Sequence, residues 1–572
     1  MKKSKKILSL LASVTATSAT IAPVITACSH ELDPIVSTLK EETVRQFIEL
    51  APIPRYSDRY NYKDIGVEEQ QTTLLNKIKA HYKQIVEKQG LVWNDQGATV
   101  NDKDGNFICE GNCYFDIPAS DDGKNIPTII LQGHMDMVFA RAEESDRGLD
   151  TPIEIVQRQK DGKQIIESED NQSSIGADDG IGIASMLSVL VNRNKFTHGK
   201  IRCLLTTDEE PGLIGAEQVP EEWFFEDPAD ESKGKIQYLL NIDGEEVNSS
   251  DIANNGGSNY ELSCSFTSSH KFTPTSYTFY KFEAKEFYGG HSSLADIHTS
   301  PLKYLTKIVG EIKDENENFV INNVATSGAA VGNAIPTGAS VMFGITDTED
   351  KTIEYKTKLD EALKKLKGEF PEEEEAEVNV TKIETAPTTS LTKEVSVKIL
   401  NLLNELSCGV VSPKTNINYY AISNIAPVNM SLEDNKFSLC IYPRSYNVDL
   451  LHLIDTNIEA KYEQYLKSID TNAKITQVAY YEPWVPEADN PMKIILRDGF
   501  KSANINDPIM EYCPGGLECS WWFKKQPEIN IGVIGPTVTD PHSIYETIYL
   551  DTLDSMLQVL VHTLRNIKVI EK

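Results

Sequence analysis

Three short apolar runs, Thr128–Leu131, Ile201–Leu205 and Tyr238–Ile242, each give way at once to histidine or carboxylate residues. Nothing else in the chain restricts its fold so much. A helix-like run, Gly182–Val191, lies between the first two. Short runs apolar on both sides suit strands buried on both faces, and intervening helices make parallel neighbours the natural arrangement. The expected fold class is therefore α/β: a mixed, mostly parallel sheet between helices.

At 572 residues the chain is too long for one core, since domains usually hold about 100–200 residues. Composition changes near Asn254–Gly257 and again at Tyr480–Pro486, with Pro491 just beyond. The stretch between is richer in Ser, Thr and alternating patterns, as expected of an α+β domain inserted into the first. The expected limits are 41–253 and 487–572 for the two parts of the first domain and 254–486 for the insert. A helix is expected over Asp64–Gln89, where Leu74, Leu75, Ile78, Tyr82 and Ile85 recur at helical spacing before Gly90. Ile529–Ile534 reads as a strand and Leu550–Ile567 as an amphipathic helix. The acidic run Glu372–Glu375 reads as solvated and mobile.

The N-terminus is read apart from the fold. Lys2, Lys3, Lys5 and Lys6 precede the apolar Ile7–Leu11 and a run of small residues to Ala27. That is the pattern of a secretory signal. It ends in Ile25-Thr26-Ala27-Cys28, which resembles the bacterial lipoprotein signal-peptidase box. The resemblance implies removal of 1–27, lipidation of Cys28, a short tether over 28–40 and a body anchored on the extracytoplasmic face of the cell membrane. No later run of 18 or more apolar residues is present, so no other span is expected. A net charge of -31 argues against nucleic acid, whose phosphates need a basic face. The cysteines other than Cys28 lack zinc-ribbon spacing and are expected to be mostly buried thiols.

The chemistry gathers where the strands end, which is where open α/β sheets place their functional groups. The first run leads into His134 and Asp136, the second into Asp208, Glu209 and Glu210, and the third into Asp243. Asp178 and Asp179 stand where a helix begins. A single His-x-Asp is usually a strand-end hydrogen bond, and a single acidic triplet is usually surface. Several carboxylates with a histidine in one cleft need cations, and the donor set suits zinc, manganese or cobalt. Two such ions about 3.5–4 Å apart could clamp both an attacking water and a substrate oxygen.

In this order the segments resemble the dinuclear zinc metallopeptidase family of carnosinases, aminoacylases and glutamate carboxypeptidases. The likeness is greatest to its aminoacyl-histidine dipeptidase branch, also called cytosol non-specific dipeptidases. Ala51–Ser57, Gly332–Pro336, Tyr442–Ser445, Gly515–Cys519 and Asp540–Ser543 resemble further segments of that branch, so the likeness spans about 42–568. It implies an inserted lid domain and hydrolysis of dipeptides by a two-zinc centre. In it His134 and Asp243 hold one ion, Glu210 and His542 the other, and Asp178 bridges both. It also implies Glu209 as general base, Asp136 as orienter of His134, and His291 of the lid as oxyanion donor. Asn333, Arg444, Gly515 and Gly516 are expected to bind the substrate backbone and its carboxylate. Alternatives left open are an amidohydrolase or carboxypeptidase acting on N-acyl amino acids, and a peptide-binding lipoprotein that has lost catalysis. The sequence departs from the branch at Cys513-Pro514-Gly515-Gly516, where His-Ala-Gly is usual, and at Asp179, where Asn is usual.

Overall fold

The computed structural model describes residues 31–570 apart from 57–67, 106, 139, 142–146, 149, 330–331, 348, 413–419 and 487–489. The signal segment, Cys28 and Ser57 lie outside the described residues.

The three apolar runs become strands Ile129–His134, Ile201–Thr206 and Tyr238–Asn241, and Asn530–Val533 supplies a fourth. These four run parallel. Cys113–Ile117 and Trp93–Asp95 extend the same sheet antiparallel at one edge. Successive side chains of a strand point to opposite faces, and the cores divide accordingly. Ile129, Leu131, Cys203, Leu205 and Leu240 enter one core; Ile130, Leu204 and Leu239 enter the other. Helix Ala177–Asn192 is buried along almost its whole length, as an all-round apolar helix must be. It packs on Ile129–His134 and on helix Pro34–Leu50, with helices Pro491–Ser502 and Leu553–Asn566 completing that face. Trp223, Phe224, Trp521 and Trp522 cover the opposite face. Each fully buried Leu, Ile or Phe contributes about 1.5–3 kcal/mol, so both faces are strongly held. This is the expected α/β arrangement.

The tether expected over 28–40 is shorter than that. The chain is helical from Pro34, with Asp33 accepting the Ile35 N–H as N-cap and Pro34 at the first turn. Ile35, Val36 and Leu39 are buried, so this segment belongs to the core. The Asp64–Gln89 helix is described over Glu68–Lys88. The eight cysteines other than Cys28 are free thiols, five of them buried. Among the described residues no helix is long and apolar enough to cross a membrane.

A second, antiparallel sheet uses strands from Gly256–Ser265 to Lys474–Tyr481, and forms the lid. Apart from the short strand Gly409–Ser412, which pairs with Ala421–Ser431, it consists of two βαββαβ units. One comprises strands Thr278–Lys285, Phe319–Ser327, Gly338–Ile345 and Glu377–Ile383 with helices Pro301–Glu315 and Thr352–Glu369. The other comprises Gly256–Ser265, Ala421–Ser431, Lys436–Ser445 and Lys474–Tyr481 with helices Lys393–Glu405 and Val448–Lys461. The first unit is spliced into the loop after the first strand of the second. They meet edge to edge through one register pair, Ala325 with Asn429.

Candidate active site

The carboxyl ends of the parallel strands supply the centre. His134 closes its strand and is 1% exposed. Its Nε2 lies 2.9 Å from Asp178 Oδ1 and 3.5 Å from Asp243 Oδ1, while Nδ1 faces Asp136 Oδ1 at 3.5 Å. His542 Nε2 lies 2.9 Å from both Asp178 Oδ2 and Glu210 Oε2. Asp178 thus turns one oxygen to each histidine. The groups His134–Asp178–Asp243 and Asp178–Glu210–His542 each bring their donor atoms within 4.8 Å of one another. Glu209 forms a further group with His134 and Glu210.

The electrostatics of this cluster call for cations. Burial, with His134 opposing and Asp178 adding, raises the Asp243 carboxyl to about 7. Burial likewise holds Glu209 well above the usual carboxylate range, with Glu210 and Asp243 adding to the effect. Burial alone would lower His134, but Asp243, Asp136 and Asp178 raise it well above its ordinary value. Glu210 Oε1 is buried without a hydrogen-bond partner. Such an orphaned oxygen is costly in a folded interior. A histidine-and-carboxylate donor set with a shared central carboxylate fits two divalent ions.

Local backbone geometry places these groups. Glu209 and Glu210 do not diverge by strand pleating, as the strand already ends at Thr206. Asp208 takes a left-handed φ of 49°, and the chain turns back with Gly212 and Leu213 donating to the Glu209 carbonyl. Asp136 fixes this turn, its two oxygens accepting the backbone N–H of Glu209 and Glu210 at 3.2 Å each. His542 has a left-handed φ of 60°, a conformation uncommon outside glycine and often found at functional sites.

The segment carrying Asp178 is held by a residue that sequence reasoning missed. Glu546 is buried, and its two oxygens accept four successive N–H groups, those of Ile175, Gly176, Ala177 and Asp178, at 2.7–3.2 Å. From beneath, Arg55 donates to the Gly176 carbonyl. Gly176, at φ 63°, leaves no room for a Cβ against Arg55 and Met137. Glu518 was passed over as well. It lies under the sheet end, bonded to Gln132 and Thr206, and burial pushes its carboxyl up to about 8.

A cavity of about 490 Å³ opens above the cluster. Asp178, Glu209, Glu210, Asp243 and His542 line it from the first domain, with Gly515 and Gly516 of one loop. His291, Asn333 and Arg444 line it from the lid. Strand Gly290–His291 pairs with Ala334–Ile335, and Ser292 N–H donates to the Asn333 carbonyl at 2.6 Å, so the two lid loops are bonded to each other. Desolvation in the cavity, with Arg444 and His542 adding, lowers the His291 imidazole to about 3. Its Nδ1 lies 2.6 Å from Ser293 Oγ and 3.4 Å from the Ser293 backbone N; with Ser293 donating to Nδ1, the proton of the neutral ring sits on Nε2. Arg444 is 2% exposed. It stacks on Tyr442 at 4.3 Å and donates to Tyr481 Oη at 2.6 Å and Ser292 Oγ at 3.4 Å. Among the described residues it has no carboxylate partner. Tyr481, at the boundary read only as a composition change, is a third residue that sequence reasoning missed, and it lines the cavity wall. His134 and Asp136 lie just below the cavity floor, and Cys28 lies outside the described residues.

The family model described as peptidase family M20/M25/M40 matches residues 130–566. A cytosol non-specific dipeptidase of Escherichia coli (strain K12) is 25% identical over 462 residues, which is 80% of this chain and 89% of that protein. An aminoacylhistidine dipeptidase from Vibrio alginolyticus superposes with a TM-score of 0.67 at 22% identity, covering 94% of this chain and 98% of that one. Human carnosine dipeptidase 1 gives 0.51 at 13% identity, covering 92% and 97%. The two structural likenesses concern the fold.

Proposed function

Because the chain belongs to peptidase family M20/M25/M40, we propose that it hydrolyses dipeptides, Xaa-His dipeptides among them, at the cavity between its two domains. One observation carries this reading. The histidine–carboxylate cluster and a buried guanidinium that has no acidic partner among the described residues face the same cavity, whose size suits a small ligand. The name of the bacterial dipeptidase that the chain resembles points the same way.

His134, Asp178 and Asp243 would hold one divalent ion, and Asp178, Glu210 and His542 a second, both zinc in this reading, which when bound polarise the scissile carbonyl and acidify water. The remaining work falls to the chain's own side chains. Arg444 offers a planar fork to the substrate carboxylate, assisted by the N–H groups of Gly515 and Gly516. Asn333 meets the substrate backbone. Glu209 takes a proton from the attacking water on a carboxylate oxygen and gives it to the leaving amine nitrogen. His291 donates from Nε2–H to the oxygen on which negative charge develops. Asp136 holds His134 and the Glu209–Glu210 turn in register.

Purified protein is expected to contain close to two transition-metal ions per chain and to lose dipeptide hydrolysis on chelation. Elemental analysis and a panel of dipeptides and N-acyl amino acids check this. Full activity without bound metal, or hydrolysis of N-acyl amino acids alone, would overturn the reading.

The domain limits 254–486 and 487–572 belong to the same proposal, with the expected start at 41 moved back to take in helix Pro34–Leu50; the lid strands, all between Gly256 and Tyr481, support them. We also propose that the protein is anchored through lipidated Cys28 on the extracytoplasmic face. Stable anchoring needs more than one acyl chain, which the thiol and the new amine of Cys28 together supply. Cys28→Ser should move the protein from the membrane to the soluble fraction, and co-fractionation with membranes like the parent would end this idea.

A further inference from the structure

The acidic run Glu372–Glu375 was expected to be solvated throughout. Three of its members are exposed, but Glu373 is 0% exposed. It sits in the short turn Pro371–Glu375 that follows helix Thr352–Glu369. Its Oε2 accepts the Tyr288 N–H at 2.7 Å and its Oε1 the Thr299 N–H at 3.1 Å. Among the described residues no cation lies within ion-pair distance of it. A buried carboxylate is costly unless it is hydrogen-bonded, and here the bonds come from the two ends of one loop. That loop, residues 288–299, carries His291.

We propose that Glu373 is a positioning residue for His291: one carboxylate inside the lid ties both ends of the loop that presents the imidazole to the cavity. The loop needs such a tie. Gly289 and Gly290 have left-handed φ values of 75° and 97°, so the segment just before His291 lies outside the usual helix and strand conformations. Its partner across the loop is the two-residue strand Ala334–Ile335, too short to hold a register by itself. The Tyr288 ring stacks on His298 at 4.1 Å, nearly parallel, which closes the base of the loop beside Glu373. Hydrogen bonds to an ionised acceptor are the stronger kind, and these two set the path of the chain on either side of the imidazole.

The inference rests on the role proposed for His291, and the test separates the two. Glu373→Gln keeps the shape, but its amide N–H₂ meets one of the two N–H donors. In the metal-loaded enzyme this substitution is expected to lower kcat by about 10- to 100-fold, the scale of a misplacement of about 1 Å. KM for a hydrolysed dipeptide should change by less than about twofold, because the tie acts on orientation rather than on ground-state binding. Added to His291→Ala it should cost nothing further, because a displaced loop cannot harm a ring that is gone. Glu373→Asp, which keeps the charge and shortens the reach, should fall between. The imidazole resonance that disappears in His291→Ala should shift in Glu373→Gln. If His291→Ala slows turnover while Glu373→Gln does not, or if the two losses multiply, Glu373 does not act through His291. If His291→Ala leaves turnover intact, the oxyanion role falls instead, and an unmoved His291 resonance in Glu373→Gln then sinks the positioning role as well.

Discussion

Glu209→Gln is expected to lower dipeptide turnover by about 10²- to 10⁴-fold, the range of a general base, with metal content unchanged. The amide keeps the size of the side chain and its place in the turn, because Asp136 holds the backbone of residue 209 rather than its side chain. What disappears is a proton acceptor whose basicity burial, Glu210 and Asp243 have raised. Glu210→Gln should behave differently. Its Oε2 faces His542 at 2.9 Å in the group built on Asp178, so its loss should lower metal content from two toward one. Turnover and elemental analysis of both variants decide between the adjacent carboxylates. An active Glu209→Gln enzyme, beside a Glu210→Gln enzyme that keeps both ions, would reverse the assignment.

His291→Ala is expected to lower kcat by about 100- to 1000-fold, the usual cost of one oxyanion donor, with metal content intact. A donor aimed at charge that forms only during reaction contributes little to ground-state binding, so KM should move far less than kcat. The neutral ring supports this. Desolvation, with Arg444 and His542 adding, lowers His291 to about 3, so a neutral ring with its proton on Nε2 can donate across the neutral range. Turnover should therefore show no step from His291 between about pH 5 and 8. Steady-state kinetics of the variant check the claim, and unchanged kcat would remove His291 from the chemistry.

The parallel sheet was legible because buried strands leave an unmistakable local mark: short apolar runs that stop abruptly. The cluster was legible because each stop carries a ligand-type residue and the fold gathers strand ends. His134, Glu209, Glu210 and Asp243 come together for that reason; Asp178 joins them from a helix start, and His542 is recognised only through the family resemblance. What escaped has no local mark. Glu546 reaches backbone groups about 370 residues away, and nothing near it in the sequence shows that four amides await it. Glu373 sits in a run of identical charges whose pattern favours solvent, and only the turn after helix Thr352–Glu369 directs that one member inward. Tyr481 resembled boundary composition because its partners, Arg444 and Tyr442, belong to a different strand. The tether was drawn too long for another reason. Asp33-Pro34 is a helix start, but it stands next to a segment already assigned to export.

The lid's two βαββαβ units have one more consequence. His291 and Asn333 come from loops of the spliced-in unit, and Arg444 and Tyr481 from strand ends of the host unit. The two sets touch where Ser292 meets Arg444. In the proposed reaction, the reach from scissile bond to substrate carboxylate is thus gauged between two halves of a single polypeptide, like the jaws of a caliper joined along the seam at Ala325 and Asn429. Both jaws belong to this chain, so the spacing between them follows from its own fold.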